Sequence, residues 1–60
     1  MVLAQLEIIM AERGLSNEQV AAKANLSAKS VMNAKKGHGV SLNTGRHIAT
    51  ALKVPLDKLI

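Results

Sequence analysis

The apolar positions Val2, Leu3, Leu6, Ile9 and Met10 recur at the i, i+3, i+4, i+7 spacing that gathers side chains on one helix face. Gln5, Glu12 and Arg13 turn outward, and Gly14 stands where a helix stops. A second helical pattern covers about Asn17 to Ala24 and turns Val20, Ala21 and Ala24 inward, the small residues allowing a close neighbour. A third runs from about Ala28 to Lys36. Val31 and Ala34 point inward there, while Ala28, Lys29, Met32, Asn33 and Lys36 face fully or partly outward, with Met32 read as a gap filler under the helix. Gly37-His38-Gly39 breaks this helix, and Gly45, Ile48, Ala49 and Leu52 trace a fourth stripe over about 44–52. Pro55 fits the first turn of a short final helix, Leu56 to Leu59. The pattern therefore predicts an all-α fold, a compact bundle of five short helices without strands. Its expected core is Leu6, Ile9, Leu15, Val20, Leu26, Val31, Ile48, Leu52, Val54, Leu56 and Leu59.

Start and stop signals sharpen the middle of this pattern. Ser16 is an N-cap with Gln19 three residues on, a capping box, and Leu15 with Val20 forms the staple over the entry. Ser27 repeats the arrangement with Leu26 and Val31. Between the two, Asn25 tolerates the left-handed conformation in which a helix stops and turns. Two helices joined by about three or four residues make a helix-turn-helix, here about 16–36. Asn43 or Thr44 is the expected cap of the fourth helix, and Lys53 holds its stop position where Gly would be easier.

Sixty residues make one domain, 1–60, at the small end of what folds unaided. With no Cys, neither a disulfide nor a thiolate zinc site braces it. The absence of Phe, Tyr and Trp argues against single-strand and RNA readers that stack bases on aromatic rings. Charge is unevenly spread. Residues 1–27 hold three carboxylates against two cations, net −1, whereas residues 28–60 hold six cations against one carboxylate, net +5. A polyanion suits the basic half, and so does a plain solvated surface. The apolar N-terminus lacks a basic leader and a cleavage site, contains Glu7, and is far shorter than the roughly 20 residues that span a bilayer. It reads as a core helix of a soluble, cytoplasmic protein with no membrane partner.

Several residue groups together resemble the lambda-repressor-like, Cro/C1-type (XRE) helix-turn-helix domains of phage and bacterial regulators. They are Gly14-Leu15-Ser16, Val20-Ala21 with Ala24, Leu26-Ser27, Ser30-Val31, Gly37, and the closing string Ile48-Ala49-x-Ala51-Leu52-x-Val54-x-Leu56-x-x-Leu59. The resemblance covers nearly the whole chain and implies a five-helix DNA-binding domain. It also implies a phage- or prokaryote-type transcriptional regulator, a repressor, bound as a homodimer to a two-fold double-stranded operator. The chain departs from the family pattern at Asn25, at Lys53 where Gly is usual, and at Lys58 where an aromatic residue is common. Ala34 replaces a larger aliphatic residue, which predicts a cavity or compensation by Met32.

An α-helix fits the major groove of B-DNA, and in this motif the second helix lies there while the first crosses the backbone. The resemblance assigns base contacts to Ala28, Lys29 and Asn33. Their chemistry is apt, since Lys donates to guanine, Asn pairs bidentately with adenine, and Ala touches a thymine methyl. Asn17 and Ser27, at helix starts, and Lys35, Lys36 and His38, near the following loop, are the phosphate candidates. Ser16, Ser30, Asn43 and Arg46 are weaker DNA candidates. The plainer reading of Ser16 and Ser27 is capping alone, and of Lys29 and Asn33 a solvated helix face.

No catalytic residue is expected, because His38, His47 and four scattered carboxylates form no nucleophile-base arrangement. The histidine spacing fits no metal site, His47 reads as a surface or half-buried helix residue, and neither a cofactor nor a small-molecule substrate is expected. The alternative from another class is a small helical protein-interaction module, such as an antitoxin or adaptor domain. An apolar surface around Leu56, Leu59 and Ile60 too large for a monomer would favour a partner protein or a homodimer, and the two readings are not exclusive.

Overall fold

A computed structural model describes all residues 1–60. Four α-helices, α1 (Leu6–Arg13), α2 (Asn17–Ala24), α3 (Ala28–Lys35) and α4 (Leu42–Leu52), precede a single 3₁₀ turn, Leu56–Lys58. α2 lies between α3 and α4, α1 touches α3, and the 3₁₀ turn rests on α4. The whole spans 22 × 21 × 19 Å.

The helices start in two ways. Ser16, Ser27 and Ser41 each accept the backbone N–H three residues on, from Gln19, Ser30 and Thr44, at 3.2 Å in every case. At Ser16 the expected capping box is complete, with Gln19 Oε1 accepting Ser16 N–H at 2.8 Å. The cap of α4 is thus Ser41, not Asn43 or Thr44, and the helix begins two residues earlier than its apolar stripe. Thr44 supports the cap by accepting the Ser41 hydroxyl at 3.1 Å. α1 has no side-chain cap. The chain's far end serves it instead, as Leu59 O accepts Gln5 N–H at 2.9 Å.

Every α-helix leaves through a left-handed residue, namely Gly14, Asn25, Gly37 and Lys53. At Gly14, Gly37 and Lys53 the paired bonds of a Schellman motif close the end; Leu15 N–H to Met10 O at 3.0 Å and Gly14 N–H to Ala11 O at 3.2 Å are one instance. Leu15, Leu26 and Val54, each directly after its left-handed residue, fold back half-buried on the core. Arg13 Nη1 donates to Leu52 O, placing a cation on the carbonyl end of α4.

The core centres on Leu3, Leu6, Met10, Val20, Val31, Ile48, Leu52 and Leu59, filled in by Ala21, Ala24, Ala34 and Ala49. Ile9, Leu15, Leu26, Val54 and Leu56, expected inside, are half-buried at its edge. Residues 1–3 are not helical. Leu3 reaches the core from an irregular segment while Val2 is exposed, so the face read from Val2 onward belongs to two elements. Two reciprocal bonds pin that segment, Met1 N to Val40 O at 2.8 Å and Val40 N–H to Met1 O at 2.7 Å. Gly45 makes room for it, since a Cβ there would stand 2.9 Å from Met1 Sδ and 3.2 Å from Leu56 Cδ1.

Ala34 leaves no hole. It is 0% exposed, and the molecule's one cleft lies elsewhere. Met32 does not compensate for it either, being 37% exposed. The small side chain instead lets α3 sit close to its neighbours. Pro55 is extended and precedes the last turn, and that turn is 3₁₀, with Lys58 N–H bonded to Pro55 O at 3.0 Å. No helix is long and apolar enough to cross a membrane.

Candidate nucleic-acid interface

α3 is fixed by its inner side. Val31 and Ala34 are fully buried, Ser27 caps the start, and Gly37 closes the end through His38 N–H to Asn33 O at 3.2 Å. Its outer side then carries Lys29, exposed, and Asn33, half-buried, one turn apart, with half-buried Ala28 in the first turn. A cation, an amide and a methyl group are therefore presented together on a short rigid helix.

Asn17, the first residue of α2, is half-buried, and its Oδ1 accepts Lys35 Nζ at 3.1 Å. Two expected phosphate contacts from different helices thus form one unit. The Asn17 oxygen is occupied by the ammonium, which leaves the amide N–H groups and the other lysine protons to point elsewhere. Lys36 is the C-cap of α3 rather than part of it, and His38 follows in the loop, both exposed. Lys35, Lys36 and His38 stay together beside the end of α3.

Ser16, Ser27 and Ser30 are tied up in capping. Ser27 Oγ receives Ser30 N–H, and the two hydroxyls pair at 2.9 Å. Ser27 Oγ retains capacity for one further partner, and Ser16 and Ser30 for two each. Asn43 lies in the first turn of α4, exposed. Arg46, also on α4, belongs to another neighbourhood, a cleft of about 300 Å³ between α2 and α4 that it shares with Lys23 and His47. His47 is exposed, and Nδ1 of its ring lies 3.0 Å from Ala24 O. Sequence spacing held no sign of this link across 23 positions, nor of Arg13 reaching α4.

The model of the Cro/C1-type helix-turn-helix (HTH) DNA-binding domain matches residues 5–60. The chain belongs to this family. No individual curated protein matches it significantly. The match runs from the cap position of α1 to the last residue. It takes in both motif helices and every left-handed exit. Within this Cro/C1-type HTH domain, α2 and α3 are the two motif helices, joined at their outer ends by the Asn17–Lys35 bond.

Proposed function

We propose that residues 1–60 act as one domain that binds double-stranded DNA in a sequence-specific manner, with α3 in the major groove, as a repressor of phage or prokaryotic type. The observation that carries this reading is the pair Lys29 and Asn33, one turn apart on the outer side of a helix whose inner side is sealed. A helix with its side chains is about 10–12 Å across, which suits a groove about 12 Å wide. In this arrangement Lys29 and Asn33 read base edges and Ala28 meets a thymine methyl, while Asn17, Lys35, Lys36, His38 and Ser27 hold phosphates. Ser16, Ser30 and Asn43 lie at the margin of that set. Arg46 lies at its far side.

A homodimer on a two-fold operator is part of the proposal. Its support is the exposure of Ile8 and Ile60, 54% and 55%, beside the junction where Gln5 N–H meets Leu59 O. Leu59 itself is buried and Leu56 half-buried, so little of the C-terminal apolar string is left for another partner.

The test is retention from a random duplex library at near-physiological salt, followed by sequencing. An enriched palindrome with half-sites about one helical turn apart is expected. Salt-sensitive retention without enrichment would reduce the reading to general DNA binding. No retention at low salt would overturn it in favour of a protein-interaction module.

A further inference from the structure

The cleft between the end of α2 and the middle of α4 is lined by Lys23, Ala24, Asn25, Arg46, His47 and Thr50. Three of its six residues carry basic groups, two more carry hydrogen-bonding side chains, and none is acidic or a thiol. Such a lining suits an anion and offers a metal ion a single ligand.

The helix end beside it is prepared for negative charge. Carbonyls at a helix C-terminus repel anions, but here donors cover two of them, Ala21 O and Ala24 O. Asn25 and Leu26 N–H both point to Ala21 O, and the His47 ring lies on Ala24 O. A carbonyl only accepts, so Nδ1 of His47 carries the proton. Nε2 is then a bare lone pair in the neutral ring and a donor only in the imidazolium. The ring is oriented before any ligand arrives.

We infer that this cleft binds a tetrahedral oxyanion, a phosphate group, between Lys23, Arg46 and His47. The group is either a free phosphate or a phosphodiester of bound DNA. Arg46 supplies a planar fork, Lys23 a point charge, and Thr50 a hydroxyl. His47 contributes through an Nε2–H donor, on a ring already oriented by Ala24 O. Lys23 and Arg46 are the other charged groups lining the cleft, and the anion relieves their repulsion of the imidazolium.

The free-phosphate arm stands apart from the DNA reading, and the phosphodiester arm rests on it. Sulfate is the probe for the first arm, because it remains a dianion where phosphate itself titrates. Sulfate is added to the ¹⁵N-labelled chain at constant ionic strength. Saturable shifts at Lys23, Arg46, His47 and Thr50 are expected. Arg46→Ala and His47→Gln each weaken binding about threefold to fivefold, as suits exposed groups. Both side chains are exposed, so the melting temperature checks that the variants remain folded. Linear shifts spread over all basic residues, or unchanged affinity in either variant, would overturn the assignment.

A duplex from the selection described above is then added to the sulfate-loaded chain. Displacement of sulfate assigns the cleft to a DNA phosphodiester. Shifts at α3 and at Asn17, Lys36 and His38, with sulfate retained, assign it to a free anion. A duplex that does not bind sinks the DNA reading and leaves the sulfate result standing.

Discussion

Lys53 is the residue whose backbone conformation conflicts most with its side chain. It ends α4 at φ 57°, ψ 41°, with its N–H bonded to Thr50 O and Val54 N–H to Ala49 O, both at 3.1 Å. An ordinary L-residue in that region costs about 1–2 kcal/mol, because Cβ crowds the following carbonyl oxygen. Glycine removes the crowding, but loses about 0.5–1 kcal/mol through its freer unfolded chain. Lys53→Gly should therefore stabilise the fold by roughly 0.5–1 kcal/mol, a rise of about 2–8 °C in melting temperature for a domain this small. Two controls isolate the cause. Lys53→Ala removes the charge and keeps Cβ, so it should be near neutral, while Lys53→Asn should fall between Ala and Gly. Asn25, at φ 58°, already holds the most tolerant residue after glycine, so Asn25→Gly should change stability by less than about 0.5 kcal/mol. Thermal and urea unfolding followed by circular dichroism would measure all four. A Lys53→Gly gain no larger than that of Lys53→Ala would refute the conformational argument and leave only charge removal.

Asn33→Ala should relax preference at one base pair and weaken binding to the best site by about 1–3 kcal/mol, as measured with single-substitution operators. Unchanged discrimination would remove Asn33 from the reading set. Lys36→Ala should weaken all duplexes alike and lower the slope of log affinity against log salt by about 0.9 in a titration series, and a loss confined to one sequence would contradict a phosphate role. Ser41→Ala should destabilise by about 1 kcal/mol in chemical unfolding, whereas Asn43→Ala should be close to neutral. The reverse order would restore Asn43 as the cap.

Most of the all-α architecture was legible in the chain because helix signals here are local. Ser16 with Gln19, Ser27, Gly14 and Asn25 each act within five residues, and α2 fell within its expected bounds, Asn17–Ala24. Where a tertiary contact replaced a local signal, the pattern misled. Leu3 continues the apolar spacing of α1 without being helical, because Met1 is held by Val40 and the start of α1 by Leu59. Ser41 was missed because Val40 before it has Gly45 at the partner position, which leaves its entry without the apolar staple that marked Ser16 and Ser27; Thr44 supports the cap instead. Ala34 and Met32 were misjudged together, since a volume deficit on paper disappears when helices move closer. The candidate surface was legible in residue types and not in pairings. Lys35 and Asn17, 18 positions apart, are neighbours only after α2 and α3 fold on each other.

Those pairings set where the outer side of α3 points. Burial of Val31 and Ala34 fixes its rotation, Ser27 and Gly37 fix its ends, and the Asn17–Lys35 bond ties its last turn to the start of α2. Beyond His38, whose N–H is bonded to Asn33 O, only Gly39 is free before Val40 is held by two backbone bonds to Met1. Lys36 and His38 thus sit on a short bridge anchored at both sides, which limits how far their charges can drift from Lys29 and Asn33. On the proposed reading, the specificity of this surface rests on the sealed inner face and the bridge ends. A change at Ala34 or Val40, neither of which faces outward, would redirect it as surely as a change at Lys29.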